Sequence, residues 1–526
     1  MSVQGIQGSV ALAIALHRSG RLTEAAAAYE QVLRLDPRNF DALHLSGVIA
    51  SQTNEPAKAV ERITRAIAND PGNIGLHAAH ANLGAALKAV GRLQDALASF
   101  DRAIAIKPDY AIAHSNRGTV LAELESDEAA LASYDLAIAI RPDAAAAHFN
   151  RGNLLKRIGD LGAALESYDR VIALDPAHVG VHSPRGDVLR ELGQLEAAIA
   201  SFDRALTLNP QDVDAHAARG VTLLLAGDFA GGWPEYEWRS RVRNAHLHVP
   251  RRARTSPRWL GAEPLVGKTI VIHAEQGLGD SIQFCRYAKP LAHLGAQVIL
   301  EVDPSLTAVL STLEGVAQVI PTGGALPEHD YHCPIMSLPL AFKTTLETIP
   351  AGGAYLRADE RKVARWHNDL GARSAPRVGL VWSGNPHHTH DRYRSIALGE
   401  LLEHLPSEYE YVSLQKEVRE PDRLVLRQHA EVTDPTTRLT DFSDTAALCS
   451  CLDLVISVDT SVAHLSAALG RPTWILLPCY PDWRWLMARG DSPWYPSVRL
   501  YRQQRRCEWG TVLTRVRKDM GALPGC

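Results

Sequence analysis

The sequence predicts an α-helical repeat array followed by an α/β domain, and three observations lead to this fold class. The first half has prolines at a nearly constant interval, with spacings of 34, 37, 34, 34 and 34 residues between Pro37, Pro71, Pro108, Pro142, Pro176 and Pro210. All ten tryptophans lie from Trp233 onward, so the composition changes near that position. Beyond it, short apolar runs alternate with helical patterns, which is typical of a parallel sheet.

A period of 34 residues is that of the tetratricopeptide repeat, an α-solenoid in which each pair of antiparallel helices stacks on the next pair. Three further residue types keep this period. Glycine lets the two helices approach closely, alanine occupies their crossing, and an aromatic ring fills the space between them. These residues are Gly84, Gly118, Gly152, Gly186 and Gly220; Ala96, Ala130, Ala164 and Ala198; and Phe100, Tyr134, Tyr168, Phe202 and Tyr236.

The repeat domain is expected over residues 6–246, as six repeats and an imperfect seventh. Three residues are inserted near Ile74. Gly159, Gly193 and Gly227 fall where the first helix of a pair must stop, because glycine accepts the left-handed conformation there. The repeats are expected at about 6–39, 40–73, 77–110, 111–144, 145–178 and 179–212.

Two polar residue types also follow the period. Asn82, Asn116 and Asn150 are expected inside the superhelix, where amide groups can hold an extended peptide backbone. This ladder lapses at Pro184 and Ala218. Histidines recur as well, and we interpret them as packing residues because stacked helices hold them too far apart to share a metal. They are His80, His114, His148, His182 and His216.

Composition excludes several classes of function. A net charge of −4 and the lack of a Lys/Arg run argue against nucleic-acid binding. The apolar run Val10–Leu16 is short and lacks a basic leader, so we expect neither a signal peptide nor a membrane span. All seven cysteines lie at or beyond Cys285, and their odd count favours a reduced, cytoplasmic setting. Cys449 and Cys451 are interpreted as buried apolar residues rather than zinc ligands.

The second half is predicted to contain two Rossmann-like lobes, at 267–356 and 377–510, with a linker at 247–266 and a break near 357–376. In each lobe strands alternate with helices. Because ligands bind beyond the carboxyl ends of parallel strands, we expect the site in the loops that follow the strands. The predicted strands are 268–273, 297–302, 377–382, 409–414, 454–458 and 473–477.

The first candidate loop contains Gln276, Gly277, Gly279 and Asp280. Its glycines would let backbone N–H groups approach a ligand, and the positive end of a helix follows. It is not a dinucleotide fingerprint, since Ile282 stands where the third glycine would be. The alternative is a tight turn in which Asp280 is merely the N-cap of the next helix.

The second loop contains Ser383, Gly384 and Asn385, followed by a polar segment that ends near Arg394. Small residues after a strand, together with arginine, suit phosphate binding. The segment also holds three histidines, which we interpret as solvated residues because no carboxylate or cysteine set accompanies them. They are His387, His388 and His390.

The third loop places Asp459, Thr460 and Ser461 at the start of a helix, with His464 one turn further along. Hydroxyl and N–H groups at a positive helix end are well suited to bind phosphate. His464 would face the same way as Thr460. The alternative is a well-capped core helix that contains a buried histidine.

The segment Val458–Pro472, read as VDTSVAHLSAALGRP, resembles the donor-binding motif of the heptosyltransferase-like glycosyltransferases, family 9, which have the GT-B fold. The resemblance covers roughly 267–510 and implies that Asp-Thr-x-x-x-His464 holds a nucleotide diphosphate-sugar. It also implies that Asp280 is the catalytic base and that Arg394 neutralises phosphate. The tail segments Pro481–Trp485 and Asp491–Pro496 look like a bacterial subgroup with fused tetratricopeptide repeats.

The whole layout is similar to that of protein O-GlcNAc transferase, in which an asparagine ladder binds peptide. Together these resemblances imply an inverting, metal-independent glycosyltransferase that uses a nucleotide-sugar as substrate and no cofactor. The acceptor hydroxyl could belong to a protein held by the repeats. No Asp-x-Asp metal motif of the sugar-nucleotide type is present.

Two alternatives remain open. The chain could be a non-catalytic peptide-binding scaffold with a degenerate glycosyltransferase-like domain. A dinucleotide oxidoreductase is the other, and Ile282 argues against it. The sequence specifies neither the sugar, the nucleotide nor the acceptor.

Overall fold

Paired helices form the first part of the chain in the computed structural model, which describes residues 3–69, 75–242, 255–387 and 391–522. Pro71 and the expected insertion near Ile74 lie outside these residues. The helices are α1 (Val3–Arg18), α2 (Leu22–Leu35), α3 (Phe40–Gln52), α4 (Pro56–Ala68), α5 (Leu76–Ala89), α6 (Leu93–Ile106), α7 (Ala111–Glu123), α8 (Asp127–Ile140), α9 (Ala145–Ile158), α10 (Leu161–Leu174), α11 (His182–Glu191), α12 (Leu195–Leu208), α13 (Val213–Ala226) and α14 (Phe229–Tyr236).

Glycine and aromatic residues make the predicted close contact in the pairs that contain Gly84, Gly118 and Gly152. A Cβ atom built on Gly118 would lie 2.8 Å from the Tyr134 ring, and one built on Gly152 would lie 2.7 Å from the Tyr168 ring. Real Cβ atoms do not approach other atoms so closely, so only glycine fits without a shift. The predicted left-handed helix end is confirmed at Gly159, whose φ is 92°.

An ion-pair ladder that the sequence analysis did not single out also follows the repeat. The arginines that precede Gly118, Gly152 and Gly186 each contact an aspartate in the preceding helix. Half of each aspartate side chain is exposed, so each pair contributes less than about 1 kcal/mol to stability. The pairs are Arg117 with Asp101, Arg151 with Asp135 and Arg185 with Asp169, at N···O distances of 2.7, 2.7 and 2.6 Å.

The chain divides into two compact units, and the division falls inside the repeats. One unit comprises residues 1–192 and 207–209, and the other comprises 193–206 and 210–526. Helices α13 and α14 therefore belong to the same unit as the second half of the chain.

Two parallel sheets lie in that second unit. The four-stranded sheet has the order β3-β2-β1-β4, and the six-stranded sheet has the order β10-β9-β8-β5-β6-β7. Central strands such as β8 are buried at every position, as expected for a sheet covered on both faces. The strands are β1 (Thr269–His273), β2 (Gln297–Val302), β3 (Val316–Pro321), β4 (Tyr331–Pro334), β5 (Arg377–Val381), β6 (Glu410–Ser413), β7 (Val432–Thr433), β8 (Leu454–Val458), β9 (Thr473–Leu477) and β10 (Val498–Arg502).

Short helices connect these strands. Three-residue 3₁₀ segments adjoin several of them, and one of these segments, Trp483–Trp485, lies beyond β9. The helices are α15 (Leu278–Phe284), α16 (Ala288–His293), α17 (Thr307–Leu310), α18 (Leu338–Ala341), α19 (Glu360–Leu370), α20 (Asp391–Arg394), α21 (Leu398–His404), α22 (Glu420–Gln428), α23 (Phe442–Ser450), α24 (Ser461–Ala468) and α25 (Gly510–Met520).

The α/β architecture is as predicted, but the segment expected to be a break at 357–376 contains helix α19. Its apolar residues Val363, Trp366 and Leu370 recur at helical spacing, but they are few among charged and polar residues, and only Trp366 is buried. Strands β3, β4, β7 and β10 were not predicted either. Strand β3 is largely exposed at the sheet edge, and its alternation with polar residues is weak.

The last helix pair packs into the second unit through aromatic rings. Trp233 of α14 is buried, and its indole N–H donates to the Thr344 carbonyl oxygen at 2.8 Å. Its ring meets Trp483 edge-on at a centroid distance of 5.3 Å, and Phe229 stacks near Trp494 at 6.0 Å. These contacts place the seventh predicted repeat in one hydrophobic core with the four-stranded sheet.

Among the helices of the described residues, none combines the length and the apolar content that crossing a lipid bilayer requires.

Candidate functional site

The loop after β1 positions Asp280 on the first turn of α15. Gly277 is the N-cap of this helix, and its N–H donates to Asp280 Oδ2 at 2.7 Å. Asp280 is thus the third residue of the helix, and its carboxylate stabilises the first turn by accepting this hydrogen bond. The alternative interpretation of Asp280 as the N-cap is therefore wrong in position, because the N-cap is Gly277, three residues earlier.

The second oxygen of Asp280 forms an ion pair with Arg484, from the segment after β9. The Asp280 side chain is only 17% exposed. Burial raises the pKa of Asp280 above its usual value; Arg484 opposes this shift, and the neighbouring Asp482 adds to it. A carboxylate in this setting is a stronger base than a solvated one.

The loop after β5 brings Gly384 against Arg394. A Cβ atom built on Gly384 would lie 2.5 Å from Arg394 Nη2, so the guanidinium lies directly over the glycine. Arg394 Nη1 donates to the Asp459 carbonyl oxygen at 3.0 Å, which joins this loop to the loop after β8. Asn385 is exposed, and its side-chain oxygen accepts a hydrogen bond from the His387 N–H at 2.9 Å. His388 and His390 lie outside the described residues.

Ser383 leaves a buried hydroxyl available at the end of β5. Its N–H donates to Gln415 Oε1 at 3.0 Å, which fixes the backbone. Its side chain is buried, and within the described residues the hydroxyl has no hydrogen-bond partner. A buried polar group without a partner costs free energy, so this position favours a ligand that provides one.

The loop after β8 begins helix α24. Thr460 is the N-cap, but its side chain does not accept a hydrogen bond from the first turn of the helix. Its hydroxyl instead lies 3.0 Å from the Ser457 hydroxyl. The alternative of a well-capped core helix with a buried histidine is therefore correct for His464, which is buried, but not for the cap. The first-turn N–H groups near Ser461 retain their capacity to bind an anion.

Asp459 and His464 flank this helix start. Burial raises the pKa of Asp459 to about 6; Asp482 adds to the shift and Arg394 opposes it. Burial also lowers the pKa of His464 well below its usual value, so the imidazole is neutral. His464 Nδ1 lies 3.0 Å from the Tyr495 hydroxyl, and Nε2 lies 3.9 Å from Asp459 Oδ1.

The loops of the two sheets meet at Gly279. A Cβ atom built on Gly279 would lie 2.9 Å from His464 Cδ2 and 3.6 Å from the Ser461 Cα. The first turns of α15 and α24 are therefore in direct contact. This contact brings Asp280 next to the residues expected to bind a donor.

Gln276 and its neighbour Glu275 lie against the last helix pair. The Tyr236 hydroxyl donates to Gln276 Oε1 at 3.4 Å. Arg239 is buried, and it donates to Glu275 Oε1 at 2.7 Å. The seventh repeat thus supports the loop that carries Asp280.

The asparagines of the predicted peptide ladder lie in the first unit. Asn82 Nδ2 lies 2.9 Å from His44 Nε2, and Asn150 Nδ2 donates weakly to Thr119 Oγ1 at 3.5 Å. Asn116 is half-buried between them. The histidines that recur at the repeat period also form hydrogen bonds: His114 Nε2 lies 2.9 Å from the Pro108 carbonyl oxygen.

Four site residues were missed by sequence reasoning. All lie in or beside the tail segments that the sequence analysis noted only as a resemblance. Their signal was the density of tryptophan, tyrosine and arginine in a stretch without helical or strand periodicity. The residues are Asp482, Arg484, Trp485 and Tyr495.

In the part of the chain that the structure describes, no three His, Cys, Asp or Glu side chains are grouped as metal ligands. Cys449 and Cys451 are buried, as expected.

Family models match segments in both parts of the chain. Residues 84–125, 118–159 and 186–227 match the family described as TPR repeat. Residues 10–74 and 145–178 match families described as tetratricopeptide repeat. The chain carries tetratricopeptide repeats. Residues 422–477 match glycosyltransferase family 9 (heptosyltransferase), a match that includes the loop after β8 and does not reach Asp280.

One curated relative is the protein FlbA of Caulobacter vibrioides. The two sequences are 28% identical over 323 residues, which cover 56% of this chain and 53% of FlbA. The chain thus spans about half the length of the curated relative it matches.

Solved structures resemble only part of the chain. The APC/C heterotetramer Cut9–Hcn1 matches with 17% identity and a TM-score of 0.38, over 41% of this chain and 42% of that chain. The type IV pilus biogenesis factor PilW matches with 22% identity and a TM-score of 0.38, over 41% of this chain and 99% of that chain. Likenesses at this level carry no argument about function.

Proposed function

We propose that this protein is an inverting, metal-independent glycosyltransferase that moves a sugar from a nucleotide diphosphate-sugar to an acceptor hydroxyl. The observation that carries the proposal is the contact between the first turns of α15 and α24 at Gly279. It brings a buried carboxylate next to an uncapped helix start. The match of residues 422–477 to glycosyltransferase family 9 supports the same reaction class.

The two sheets would be the two lobes of a GT-B fold, at 267–356 and 377–510. The donor diphosphate would lie at the start of α24, where Thr460 and Ser461 offer N–H and hydroxyl groups and the helix dipole favours negative charge. Arg394 already bridges the loops after β5 and β8, so its cation would offset the charge that develops on the leaving diphosphate. The Ser383 hydroxyl would gain its missing partner from the same ligand.

His464 would act as a neutral hydrogen-bonding group. The Tyr495 hydroxyl can donate to Nδ1, which leaves the proton on Nε2. Nε2 is on the side of Asp459 and could donate to a phosphate oxygen. This role needs no positive charge on the imidazole, which agrees with the lowered pKa of His464.

Asp280 would be the general base. It would take the proton of the acceptor hydroxyl while the acceptor oxygen attacks the anomeric carbon. The bond from that carbon to the diphosphate oxygen would break, and the nucleoside diphosphate would leave from the opposite face. Attack from the face opposite the leaving group inverts the anomeric configuration.

The acceptor class would follow from the repeats. Tetratricopeptide repeats are a protein-binding architecture, and by analogy the layout would be that of protein O-GlcNAc transferase. A protein hydroxyl is therefore the acceptor we propose, with Asn82, Asn116 and Asn150 as peptide-binding residues.

A panel of nucleotide diphosphate-sugars tests the proposal, with thermal unfolding and release of nucleoside diphosphate as readouts. A bound donor at about 100 times its Kd stabilises the folded protein by about 2.7 kcal/mol. We expect one donor class to raise the melting temperature of the wild type and of Asp280→Asn alike, because Asp280 would not bind the diphosphate. Nucleotide release by Asp280→Asn should fall at least about 100-fold.

Asp359→Asn is the matched control, since Asp359 also holds a helix start with its carboxylate but lies at α19. It should retain full activity. A wild type that neither binds nor turns over any donor would support the non-catalytic scaffold instead. Full activity in Asp280→Asn would remove its assignment as base.

A further inference from the structure

Arg484 is the side chain through which the segment after β9 contacts the proposed base. Three of its nitrogens are engaged at once. Nε donates to Gln283 Oε1 at 2.6 Å, Nη1 donates to Asp482 Oδ1 at 2.8 Å, and Nη2 forms the ion pair with Asp280. The planar guanidinium therefore has one orientation only.

Aromatic rings hold the faces of this guanidinium. Its central carbon lies 4.4 Å from the Trp483 ring centroid and 5.4 Å from that of Phe284. The Arg484 side chain is only 6% exposed. A cation that is buried this far is stable only with such partners, so Arg484 cannot turn away to solvent.

The contacts leave Asp280 with capacity to act. Arg484 binds Oδ1 and the Gly277 N–H binds Oδ2, so each oxygen has one donor. A carboxylate has about four lone-pair positions, and one on each oxygen remains for an acceptor hydroxyl. The two donors fix the plane of the carboxylate, which is the geometric requirement for a base.

The surroundings of Asp280 would otherwise favour its neutral form. Burial, Asp482 and Glu275 each raise its pKa, and Arg484 is the main group that opposes them. The charged and titratable groups that face it are Arg484 and Asp482 from the segment after β9, Glu275 from its own loop, Tyr236 from α14 and, across Gly279, His464 from α24.

We propose that Arg484 is a positioning residue for Asp280, which keeps this carboxylate ionised and fixes its orientation toward the acceptor hydroxyl. The inference rests on the proposed function, because it assumes that Asp280 is the base. It assigns a role to a residue from outside the segment that matches the glycosyltransferase family.

The pH dependence of sugar transfer separates charge from orientation. In Arg484→Gln, the acid limb of kcat/KM should move to higher pH by at least about one unit, and activity at pH 7 should fall about 10- to 100-fold with partial recovery at pH 9. In Arg484→Lys the positive charge remains but the planar guanidinium with its fixed donors is lost. The acid limb of kcat/KM should therefore stay within about half a pH unit of wild type, while kcat falls about tenfold.

Arg377→Gln is the control, because Arg377 is also buried and paired with a carboxylate, Glu410, at 2.6 Å, but begins β5 at the end away from the loops. It should lower the melting temperature without moving the acid limb. An unmoved limb in Arg484→Gln, with activity within about threefold of wild type, would overturn the proposal.

A second readout does not depend on activity. Loss of Arg484 raises the pKa of Asp280 further above its unfolded value, so the melting temperature of Arg484→Gln should fall relative to wild type as pH rises from 5 to 8. Adding Asp280→Asn should reduce this slope. If this pH dependence of the melting temperature appears but the wild type turns over no donor, the proposed function fails, while the effect of Arg484 on the ionisation of Asp280 stands. If the pH dependence is absent, the positioning role fails.

Discussion

At the scale of single residues, Asp459 links the stability of the fold to pH. Its side chain is 17% exposed, and burial raises its pKa to about 6 from an unfolded value near 3.9. A carboxyl with a raised folded pKa stabilises the protein fully below the unfolded pKa, and this contribution is lost as pH rises through the folded pKa. Relative to Asp459→Asn, the wild type should therefore lose about 2–3 kcal/mol between about pH 4 and pH 6 and stay level above.

Thermal unfolding of both proteins across this pH range measures the effect. Glu410→Gln is a useful comparison because hydrogen bonds from Ser374 and Arg377 outweigh burial and hold the pKa of Glu410 at about 2. The stabilisation that Glu410 contributes depends on pH in the opposite direction: it is present above about pH 4 and is lost as pH falls toward 2. Parallel curves for wild type and Asp459→Asn between pH 4 and 6 would contradict the assignment.

At the scale of elements, the contact between α15 and α24 depends on the absence of a side chain at Gly279. The substitution Gly279→Ala would place a methyl group 2.9 Å from His464 Cδ2, so the buried His464 ring or the two helix starts must shift. We expect a stability loss of about 1–3 kcal/mol. Donor binding and turnover should both decrease by about tenfold or more, since the base and the phosphate-binding turn would shift apart.

The control for this substitution is Gly399→Ala in α21, where a built Cβ meets no atom within 4 Å. Alanine is favoured over glycine inside a helix, so this variant should be as stable as wild type or slightly more stable. Donor titrations followed by thermal shift compare the two. Wild-type affinity in Gly279→Ala would mean that the contact does not position the site.

The same element scale shows what the sequence could and could not predict. Asp280, Arg394 and Thr460 were found because each follows a buried apolar strand, and the carboxyl ends of parallel strands carry ligands. Their roles stay predictions. Arg484 and Tyr495 escaped because the segment between β9 and β10 has no regular period, and its contacts with Asp280 and His464 join residues about 200 and 31 positions apart in the chain.

Within the repeats the outcome was similar. The period of 34 residues and its glycines gave the helix pairs correctly, because local steric rules act within a single repeat. The arginine–aspartate pairs have the same period and were visible in the sequence. They were missed because charged residues are common on every exposed helix surface, so a periodic pair does not by itself indicate a contact. Tertiary packing also decided that α14 joins the α/β unit. The repeat period assigned α14 to the solenoid, and the change of composition at Trp233 was the one local sign of this packing.

At the scale of the whole molecule, the proposed function assigns catalysis and protein recognition to different parts of the chain. Substitutions in the asparagine ladder should therefore affect the use of a protein acceptor without affecting donor chemistry. For the triple change of Asn82, Asn116 and Asn150 to alanine, three lost hydrogen bonds of about 1 kcal/mol each raise KM for a protein acceptor about 100-fold. Release of nucleoside diphosphate with water as acceptor should stay at the wild-type rate.

Labelled-sugar transfer to an unfolded protein mixture, run beside donor hydrolysis, separates these two rates. Asn153→Ala serves as the control, because Asn153 lies on α9 with Asn150 but uses its amide oxygen to accept from the Tyr168 hydroxyl at 2.8 Å. It should weaken the repeat locally and leave KM within about threefold of wild type. Equal loss of transfer and hydrolysis in the triple variant would mean that the ladder stabilises the chain and does not bind the acceptor, and a protein acceptor would then lose its main structural argument.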